Sequence, residues 1–381
     1  MPPQKNYLLN QPLVPPKADF FALIEQIFDA RWLTNFGAVH EDFRARLQET
    51  LGCEHVLPVT NATIGLFTVM RALEITGEVI TVPFTFPATY NVLFNLPNVM
   101  PVFVDVSRES CCISPDAVRK AITPKTTAIL AVHAYGFPCD VDQLSQIARE
   151  RNLKLVYDAA PAIGVKLGNA SLVSFGDASV LSFHATKLFN TAEGGAIVCR
   201  TRELYDKCRL FINFGIQNED TIQLAGLNGK MDELRCALGL LNLRNLDLAI
   251  ESRRRVVEHY IRFFESLGCP DISIPSIHAQ GGTTLNYAYF PIVITPREGF
   301  DRNILYTKCR ERGVCARKYY YPTILDLSVY SRYQMRIEAV PNSAFLSRNV
   351  LCLPVNPYLT EADCSFITES VAGILADAGR Q

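Results

Sequence analysis

The chain has 381 residues, with 37 Lys and Arg against 38 Asp and Glu, so its net charge is -1. This balance excludes the strongly basic surface of a nucleic-acid-binding protein and the single-sign charge of a solvating tail. Hydrophobic residues make up 49% of the chain, which favours a well-packed globular protein of two or three domains, or one large domain with a smaller one.

Twelve cysteines are spread from Cys53 to Cys364 without a CxxC pair. Disulfide frameworks belong to short secreted chains, and structural zinc sites need closely spaced ligand pairs. No signal peptide is predicted at the amino terminus, and no apolar run approaches the ~18 residues of a membrane span. We therefore expect reduced thiols, no metal site and a cytoplasmic protein.

Short β-branched runs alternate with helical segments between residues 20 and 250. Strands are predicted at 79–82, 102–106, 127–136, 153–159, 178–183 and 194–200. Helices are predicted at 64–73, from Ser114-Pro115-Asp116 onward, and at 141–152, 201–212, 231–246 and 249–267. Several of the strands are apolar on both faces, as parallel strands are when helices cover both sides of their sheet. The pattern predicts an α/β layer sandwich.

The sequence changes character near residue 270. The stretch 274–282 is followed by a predicted strand at 286–294 and a predicted helix at 300–313. This order suggests a smaller α+β domain, so we predict a large domain at residues 1–250 and a small one at residues 251–381. In the helix before it, Arg253-Arg254-Arg255 lies beside Glu251 and Glu258 at helical pair spacing, which predicts a solvated face.

Two residues at the ends of predicted strands suggest chemistry. The sequence has no GxGxxG, HExxH, P-loop or GxSxG motif. Asp158 closes one strand, and Lys187 follows the next by four residues. In a pyridoxal phosphate site a lysine forms the Schiff base and an aspartate pairs with the pyridine nitrogen. Taken alone, a strand-end aspartate is also a common helix cap, and a lone lysine is usually solvated.

Three further segments add to this pattern, each with a plain alternative. Asn61-Ala62-Thr63 precedes a helix, whose start could hold a phosphate or be an ordinary cap. Phe86 follows a strand and could stack on a flat ring, although a core phenylalanine is the commoner explanation. Ser182 could reach a phosphate or bond to nearby backbone.

Together these segments resemble the DegT/DnrJ/EryC1/StrS family of sugar aminotransferases, which are fold-type I pyridoxal phosphate enzymes. The matching stretches are 33–52, 59–73, 78–93, 101–106, 131–148, 155–164, 182–198 and 226–240. The pattern SFHxxK (182–187) with a downstream EGG (193–195) is specific to the family. The resemblance implies a large domain with a mixed, mostly parallel sheet between helices and a smaller α+β carboxyl-terminal domain.

The resemblance also implies roles for individual residues. Lys187 would form the Schiff base with pyridoxal 5′-phosphate and move the proton between the substrate carbon and the cofactor. Asp158 would hold the pyridine nitrogen and Phe86 would stack on the ring. The phosphate would be bound by Ala62, Thr63 and Ser182. Asn228 would reach the phosphate of the neighbouring subunit's cofactor, which implies a homodimer with shared sites.

Two histidines match the family pattern, and two other positions depart from it. His133 and His184 match family positions, but we expect them to be structural histidines in or beside strands. The family usually has Gln or His where this chain has Pro161, and that side chain hydrogen-bonds the cofactor's 3′-oxygen. Lys230 stands where arginine is common, which removes a bidentate contact.

The implied reaction is transfer of an amino group from L-glutamate to a keto nucleotide sugar, most often dTDP-4-keto-6-deoxyglucose in this family. The product would serve O-antigen lipopolysaccharide, other polysaccharide or glycoside biosynthesis. Alternatives are a sugar 3-dehydratase, a 3-keto sugar aminotransferase, a cysteine desulfurase and a non-catalytic regulatory protein. A lysine at 187 disfavours the dehydratase, whose relatives carry histidine there, and no cysteine signature supports a desulfurase.

Overall fold

The computed structural model describes residues 5–275 and 282–378. Its α-helices are α1 (Lys17–Ala30), α2 (Ala38–Leu51), α3 (Ala62–Ala72), α4 (Pro87–Phe94), α5 (Pro115–Ala121), α6 (Val141–Arg151), α7 (Arg202–Phe211), α8 (Glu233–Leu243), α9 (Leu246–Leu267), α10 (Arg302–Glu311), α11 (Pro341–Asn349) and α12 (Glu361–Ala378).

Its strands are β1 (Tyr7–Leu8), β2 (Val56–Val59), β3 (Gly77–Thr81), β4 (Val99–Phe103), β5 (Thr126–Val132), β6 (Lys154–Asp158), β7 (Lys166–Leu167), β8 (Ala170–Ser171), β9 (Ala178–Ser182), β10 (Gly195–Cys199), β11 (Ile216–Asn218), β12 (Thr221–Ile222), β13 (Ile272–Ser273), β14 (Thr283–Thr284), β15 (Phe290–Ile294), β16 (Val314–Cys315), β17 (Arg336–Ile337) and β18 (Val350–Leu353).

The main sheet has eight strands in the order β17-β4-β3-β5-β6-β9-β10-β2. Neighbours from β17 to β9 pair in parallel, whereas β10 is antiparallel to both β9 and β2. The predicted α/β layer sandwich with a mixed, mostly parallel sheet is confirmed.

Strand β5 shows why these strands are apolar throughout. Ala128 and Leu130 pack into the core shared with α3 and α7, while Ile129 and Ala131 pack into the larger core on the opposite face. Successive side chains of a strand point to opposite faces, so a sheet between two helical layers needs apolar residues at every position. Full burial of a side chain the size of Ile or Leu contributes about 1.5–3 kcal/mol.

The helix start predicted at Ser114 is confirmed, since its hydroxyl accepts from Ala117 N–H at 3.3 Å and proline begins α5. Helix α2 begins differently, at Gly37, which has no capping side chain. The buried Glu233 carboxylate replaces it by accepting from Gly37 N–H at 3.0 Å and Val39 N–H at 2.9 Å. A carboxylate suits this position because it faces the positive end of the helix dipole.

Two predicted strands are shorter than expected. The strand predicted at 127–136 ends at Val132, and residues Ala134–Gly136 form a 3₁₀ turn in which Tyr135 has a φ of 59°. The strand predicted at 286–294 begins only at Phe290. In both places the apolar residues belong to a buried irregular segment. A run of apolar residues indicates burial but does not distinguish an irregular segment from a strand.

The carboxyl-terminal part has its own three-stranded sheet, β13-β15-β18, beside α9, α10 and α12. Within the described residues, three strand pairings cross the predicted boundary at residue 250, one of which joins β7 to β14. Strand β1 pairs with β16, and β17 adds to the edge of the main sheet beside β4. The division into residues 1–250 and 251–381 stays a prediction. The stretch 274–282, where the sequence changes character, lies mostly outside the described residues.

The prediction that the three arginines of α9 form a solvated face is partly wrong. Arg254 is exposed and pairs with Glu251 and Glu258 at 2.6 Å each, as expected. Arg253, however, is only 1% exposed, because it points inward and donates to the carbonyl of Val355 at 2.6 Å and to Asn10 Oδ1 at 3.0 Å. Helical periodicity separates neighbouring residues by about 100°, so adjacent arginines face different surroundings.

All twelve cysteines are free thiols, and nine of them are buried. The nine buried thiols are ordinary core residues, as expected. Among the residues that the structure describes, no helix is both long and apolar enough to cross a lipid bilayer.

Candidate active site

The predicted cofactor residues meet at one edge of the main sheet. Asp158 is the last residue of β6, and Ser182 is the last residue of the neighbouring parallel strand β9, five positions before Lys187. Ala62 follows the end of β2, which runs in the same direction. Carboxyl ends of parallel strands share an edge, and this is where ligand sites of α/β sheets lie.

Asp158 is buried, with only 6% of its surface exposed. Its Oδ2 accepts from the Thr89 hydroxyl at 2.7 Å, and its Oδ1 accepts from Ala160 N–H at 3.1 Å. Burial raises the pKa of this carboxyl, whereas the two hydrogen bonds and the nearby Lys187 amine oppose the rise. The arrangement orients a carboxylate whose hydrogen-bond donors in the described part of the chain are neutral.

Lys187 lies half-buried in the loop between β9 and β10. Its backbone N–H donates to His184 O at 2.8 Å, and Thr191 N–H donates to Phe183 O at 2.8 Å, so the loop is closed on itself. The amine nitrogen Nζ lies 3.4 Å from the Tyr289 hydroxyl oxygen and 5.7 Å from the centre of that ring. The predicted lysine therefore faces the same site as Asp158 and contacts a tyrosine from the carboxyl-terminal part.

Phe86 is not a core residue, contrary to the commoner of its two interpretations. Its side chain is 56% exposed, whereas Phe84, two residues earlier, is fully buried. Phe86 precedes α4, and its carbonyl accepts from Thr89 N–H at 3.1 Å. Because Thr89 also bonds to Asp158, the backbone of Phe86 is linked to that carboxylate through Thr89, and the exposed ring is available to stack on a flat ligand.

The start of α3 can bind an anion. Asn61 caps the helix by accepting from Ile64 N–H at 2.9 Å, and no hydrogen bond is seen from Ala62 or Thr63 N–H to the described part of the chain. Asn61 is therefore the cap, and the phosphate-binding role of the two further N–H groups stays a prediction. Such groups at a helix start attract phosphate.

Ser182 lies near the start of α3, because its partner in strand β10 packs against that helix start. Gly195 pairs directly with Ser182 across the ladder. A Cβ atom on Gly195 would lie only 2.8 Å from Ala62 N, so glycine is needed for strand and helix to approach. The Ser182 hydroxyl accepts from His184 N–H at 3.4 Å, a long contact that leaves its hydrogen free to donate to an anion.

Asn228 is exposed and lies beside the same helix start. The next residue, Gly229, is joined to the segment just before α3, because its carbonyl accepts from Thr60 N–H at 2.9 Å. Asn228 Oδ1 accepts from the buried amine of Lys230 at 3.0 Å, which leaves the amide N–H₂ group free to donate. Desolvation lowers the pKa of Lys230. Its role toward a second subunit stays a prediction.

The two histidines differ in their surroundings. His133 is fully buried, stacks on Tyr157 at 4.5 Å and accepts from Cys139 N–H at 3.0 Å, and burial lowers its pKa to about 3. His184 is about half-exposed and lies 2.8 Å from the Thr186 hydroxyl. A neutral, enclosed imidazole in a strand-end position suits the structural role expected for His133.

The loop that contains Pro161 is held through its backbone carbonyls. Pro161 is buried and offers no side-chain donor. The side-chain amide of Asn286 instead donates to the carbonyls of Pro161 at 2.6 Å and Ile163 at 2.8 Å. The loop after Asp158 is therefore fixed from the carboxyl-terminal part of the chain.

Sequence reasoning missed two groups of site residues. Thr85 and Thr89 form a hydroxyl chain to Asp158, with 2.9 Å between the two hydroxyls. Threonines in a loop before a helix carry no distinguishing signal, although their place in the matched stretch 78–93 could have indicated them. The second group is a set of packed tyrosine rings beside Lys187, consisting of Tyr135, Tyr289, Tyr319 and Tyr320. The contacts of Tyr135 with Tyr289 and Tyr320 span more than 150 positions, which no local pattern reveals.

These residues fit pyridoxal 5′-phosphate. The buried Asp158 carboxylate, bonded to neutral donors, would gain a charged partner in a protonated ring nitrogen. Phe86 offers an exposed face for the ring, and Ala62, Thr63 and Ser182 offer donors for the phosphate. Lys187 supplies an amine on the neighbouring strand end.

Comparisons with known proteins agree with this arrangement. The model of the DegT/DnrJ/EryC1/StrS aminotransferase family matches residues 16–372. The dTDP-4-amino-4,6-dideoxy-D-glucose transaminase of Shigella dysenteriae is 38% identical, over 97% of this chain and 100% of the relative. The Escherichia coli protein of the same name is 36% identical, over 97% and 99%. The crystal structure of DesI in the presence of its TDP-sugar product has a TM-score of 0.90 at 30% identity, over 99% of this chain and 96% of that one.

The fold and the strand-end site define the class of protein, an aminotransferase on the α/β fold of pyridoxal phosphate enzymes. Because the family model spans nearly the whole chain and the relatives align along their full length, the chain belongs to the DegT/DnrJ/EryC1/StrS aminotransferase family.

Proposed function

We propose that this aminotransferase transfers the amino group of L-glutamate to C4 of dTDP-4-keto-6-deoxyglucose. The product would be dTDP-4-amino-4,6-dideoxyglucose. Two full-length relatives whose names specify this sugar, at 38% and 36% identity, support the choice of carrier and of carbon. The glucose configuration in their names corresponds to an equatorial C4 amine.

The observation that carries the proposal is the placement of Asp158 at the end of β6 and of Lys187 in the loop after the adjacent parallel strand β9, with the carboxylate buried and the amine facing the same site. When bound, pyridoxal phosphate would supply an electron sink for the carbon that gains or loses the amine. Asp158 would hold the ring nitrogen in its charged form. The flanking hydrogen bonds from Thr89 and Ala160 keep that carboxylate oriented.

Lys187 would hold the cofactor between half-reactions and carry the proton at the substrate carbon during them. A lysine amine can do this because its flexible stem lets Nζ move between two nearby atoms. Glutamate would leave as 2-oxoglutarate before the keto sugar takes up the amine.

The phosphate would be bound by the free N–H groups of Ala62 and Thr63 and by the Ser182 hydroxyl. This end of the site combines the positive end of the α3 dipole with hydrogen-bond donors, both of which favour an anion. Phe86 would cover the ring face and exclude water from it.

We further propose a homodimer in which Asn228 reaches the phosphate in the partner's site. Large apolar side chains are exposed in two regions, one near Asn228 and one near the amino terminus. They are Phe214, Ile216 and Ile222 around the β11–β12 hairpin, and Phe21, Phe28 and Trp32 on and after α1. Exposed apolar patches of this kind mark interaction surfaces.

Two further expectations complete the proposal. The free thiols suit a reducing compartment, so we place the enzyme in the cytoplasm. A nucleotide-linked amino sugar is an activated glycosyl donor, so the product would enter an O-antigen lipopolysaccharide, another polysaccharide or a glycoside.

The test is an amination assay with glutamate against dTDP- and GDP-linked 4-keto sugars and a dTDP-linked 3-keto sugar, with the product identified by NMR. We expect turnover with dTDP-4-keto-6-deoxyglucose and an equatorial amine at C4. Turnover only with the 3-keto sugar, or loss of the 3-hydroxyl without amination, would replace the proposal by an alternative reaction.

Cofactor attachment is tested separately. The purified protein should be yellow, and borohydride should attach the cofactor covalently to the peptide that contains Lys187. The Lys187→Ala variant should retain the cofactor non-covalently and lose at least about a hundredfold in kcat, because it lacks the proton carrier. A colourless protein that takes up no pyridoxal phosphate would refute the cofactor assignment.

A further inference from the structure

A buried irregular segment connects the carboxyl-terminal part of the chain to the site. This link segment, Leu285–Tyr289, lies between β14 and β15, and every residue in it except Tyr287 is buried. Irregular segments normally run over the surface because their backbone groups need partners. The link segment is instead enclosed between the loop after Asp158 and the Lys187 loop.

Asn286 anchors the segment at one end. Besides its two bonds to the carbonyls of Pro161 and Ile163, its Oδ1 accepts from Ala288 N–H at 3.1 Å. Asn286 is only 1% exposed, and a Cβ atom on Gly136 would lie 3.1 Å from its Oδ1, so the packing around it is close. The position of the link segment is therefore fixed relative to the Asp158 loop.

Tyr289 contacts the reactive lysine at the other end. Its hydroxyl oxygen accepts from Lys187 Nζ at 3.4 Å, and the ring is packed against Tyr135 at 5.9 Å and Tyr319 at 6.1 Å between ring centres. Within residues 5–275 and 282–378 no second hydrogen-bond acceptor is seen for Nζ. Since the tyrosine is held on both sides, its hydroxyl is a fixed point for a flexible amine.

We propose that Tyr289 is a positioning residue for Lys187. Its hydroxyl accepts a hydrogen bond from the lysine amine whenever that amine is not attached to the cofactor, and it thereby keeps Nζ close to the substrate carbon. A lysine side chain otherwise samples many rotamers, and a misplacement of about 1 Å can reduce a rate about a hundredfold. This role rests on the proposed function of Lys187.

The test uses Tyr289→Phe, which removes one oxygen atom and keeps the packed ring. Tyr287→Phe is the matched control, because it removes a hydroxyl from the same segment beside Glu258 and Arg254 rather than beside the lysine. The first readout needs no cofactor. In the apoprotein, an amine-reactive reagent is followed at Lys187 by peptide mass spectrometry, and Tyr289→Phe should accelerate labelling by severalfold while Tyr287→Phe matches the native protein.

The second readout is steady-state kinetics of the cofactor-loaded enzyme. Tyr289→Phe should lower kcat about ten- to a hundredfold, with KM for glutamate and for the keto sugar changed by less than about twofold. Tyr287→Phe should change neither constant. Proper folding of both variants is checked by their melting temperatures.

Three results would overturn the role of Tyr289. They are an unchanged labelling rate, faster labelling with unchanged kcat, and equal losses of kcat and melting temperature in both variants, which would indicate a structural effect only. If the native protein takes up no pyridoxal phosphate, the proposed function fails, while the labelling experiment still reports whether Tyr289 restrains Lys187.

Discussion

The hydroxyl of Thr89 donates a 2.7 Å hydrogen bond to Asp158, and both side chains are buried. The bond joins the start of α4 to the end of β6. It orients the carboxylate proposed to hold the cofactor, and it opposes the rise in the Asp158 pKa that burial causes. Thr85 extends the chain, with its hydroxyl 2.9 Å from that of Thr89.

Replacing Thr89 by valine should weaken cofactor binding. Valine keeps the shape of threonine but removes a donor to a charged group, which contributes about 1.5–3 kcal/mol, so affinity should fall about ten- to a hundredfold. Equilibrium titration of the apoprotein with pyridoxal phosphate measures the change. The matched control is Thr85→Val, one hydroxyl further from Asp158, where we expect a smaller loss. Equal losses in both variants would contradict direct support of Asp158 by Thr89.

Gly195→Ala should disrupt the proposed phosphate-binding end. The new Cβ would lie 2.8 Å from Ala62 N and 2.7 Å from Leu181 O, and both are backbone atoms that cannot turn aside. We expect about 1–3 kcal/mol of lost stability together with weaker cofactor binding, measured by denaturant unfolding and by titration. Gly373→Ala, whose Cβ has only the end of Arg312 at 3.4 Å, is the control and should be neutral or slightly stabilising.

Asn228→Ala should accelerate cofactor dissociation about two- to tenfold, the effect of one lost hydrogen bond. Asn169→Ala, at an exposed asparagine in the turn between β7 and β8, should leave the rate unchanged and serves as the control. Dissociation is followed by the loss of cofactor absorbance after dilution into a trapping reagent.

Mixed dimers decide whether Asn228 acts across the interface. When an Asn228→Ala chain is paired with a Lys187→Ala chain, the site with native Lys187 faces the native Asn228 of the other chain if sites are shared. Cofactor bound covalently in such dimers should then dissociate at the native rate. Dissociation at the rate of the Asn228→Ala protein would show that Asn228 acts within its own chain.

The buried His40 should make the protein sensitive to mild acid. Burial lowers the pKa of His40 from 6.5 to about 4, so between these pH values the unfolded chain binds a proton that the folded chain does not. The contribution of neutral His40 to the free energy of unfolding is therefore fully present above pH 6.5. The free energy of unfolding falls by up to about 3 kcal/mol as the pH falls toward 4. His133, whose pKa burial lowers to about 3, acts in the same direction.

The pH dependence is measured as the free energy of unfolding between pH 4 and 8. His40→Leu should flatten the slope below pH 6.5, whereas His259→Leu, on the less buried face of α9, should retain it. A native slope in His40→Leu would show that other groups cause the acid sensitivity.

The sequence is sufficient to predict the layered α/β architecture, because parallel strands between two helical layers need apolar residues at every position and short polar turns between them. It also indicates Asp158 and Lys187, since Asp158 closes one buried strand, Lys187 follows the next by four residues, and strand ends of one sheet meet at one edge. The family motif around Lys187 added the expected roles.

The remote residues that complete the site are identified from the packed fold and not from the sequence. The exposure of Phe86, the burial of Arg253, the bond from Thr89 and the contacts of Asn286 and Tyr289 depend on how distant segments pack. Tyr289 lies 102 positions from the lysine it contacts. Local periodicity describes which face of one element is apolar, whereas the partner of a polar side chain is set by the packing of the whole fold.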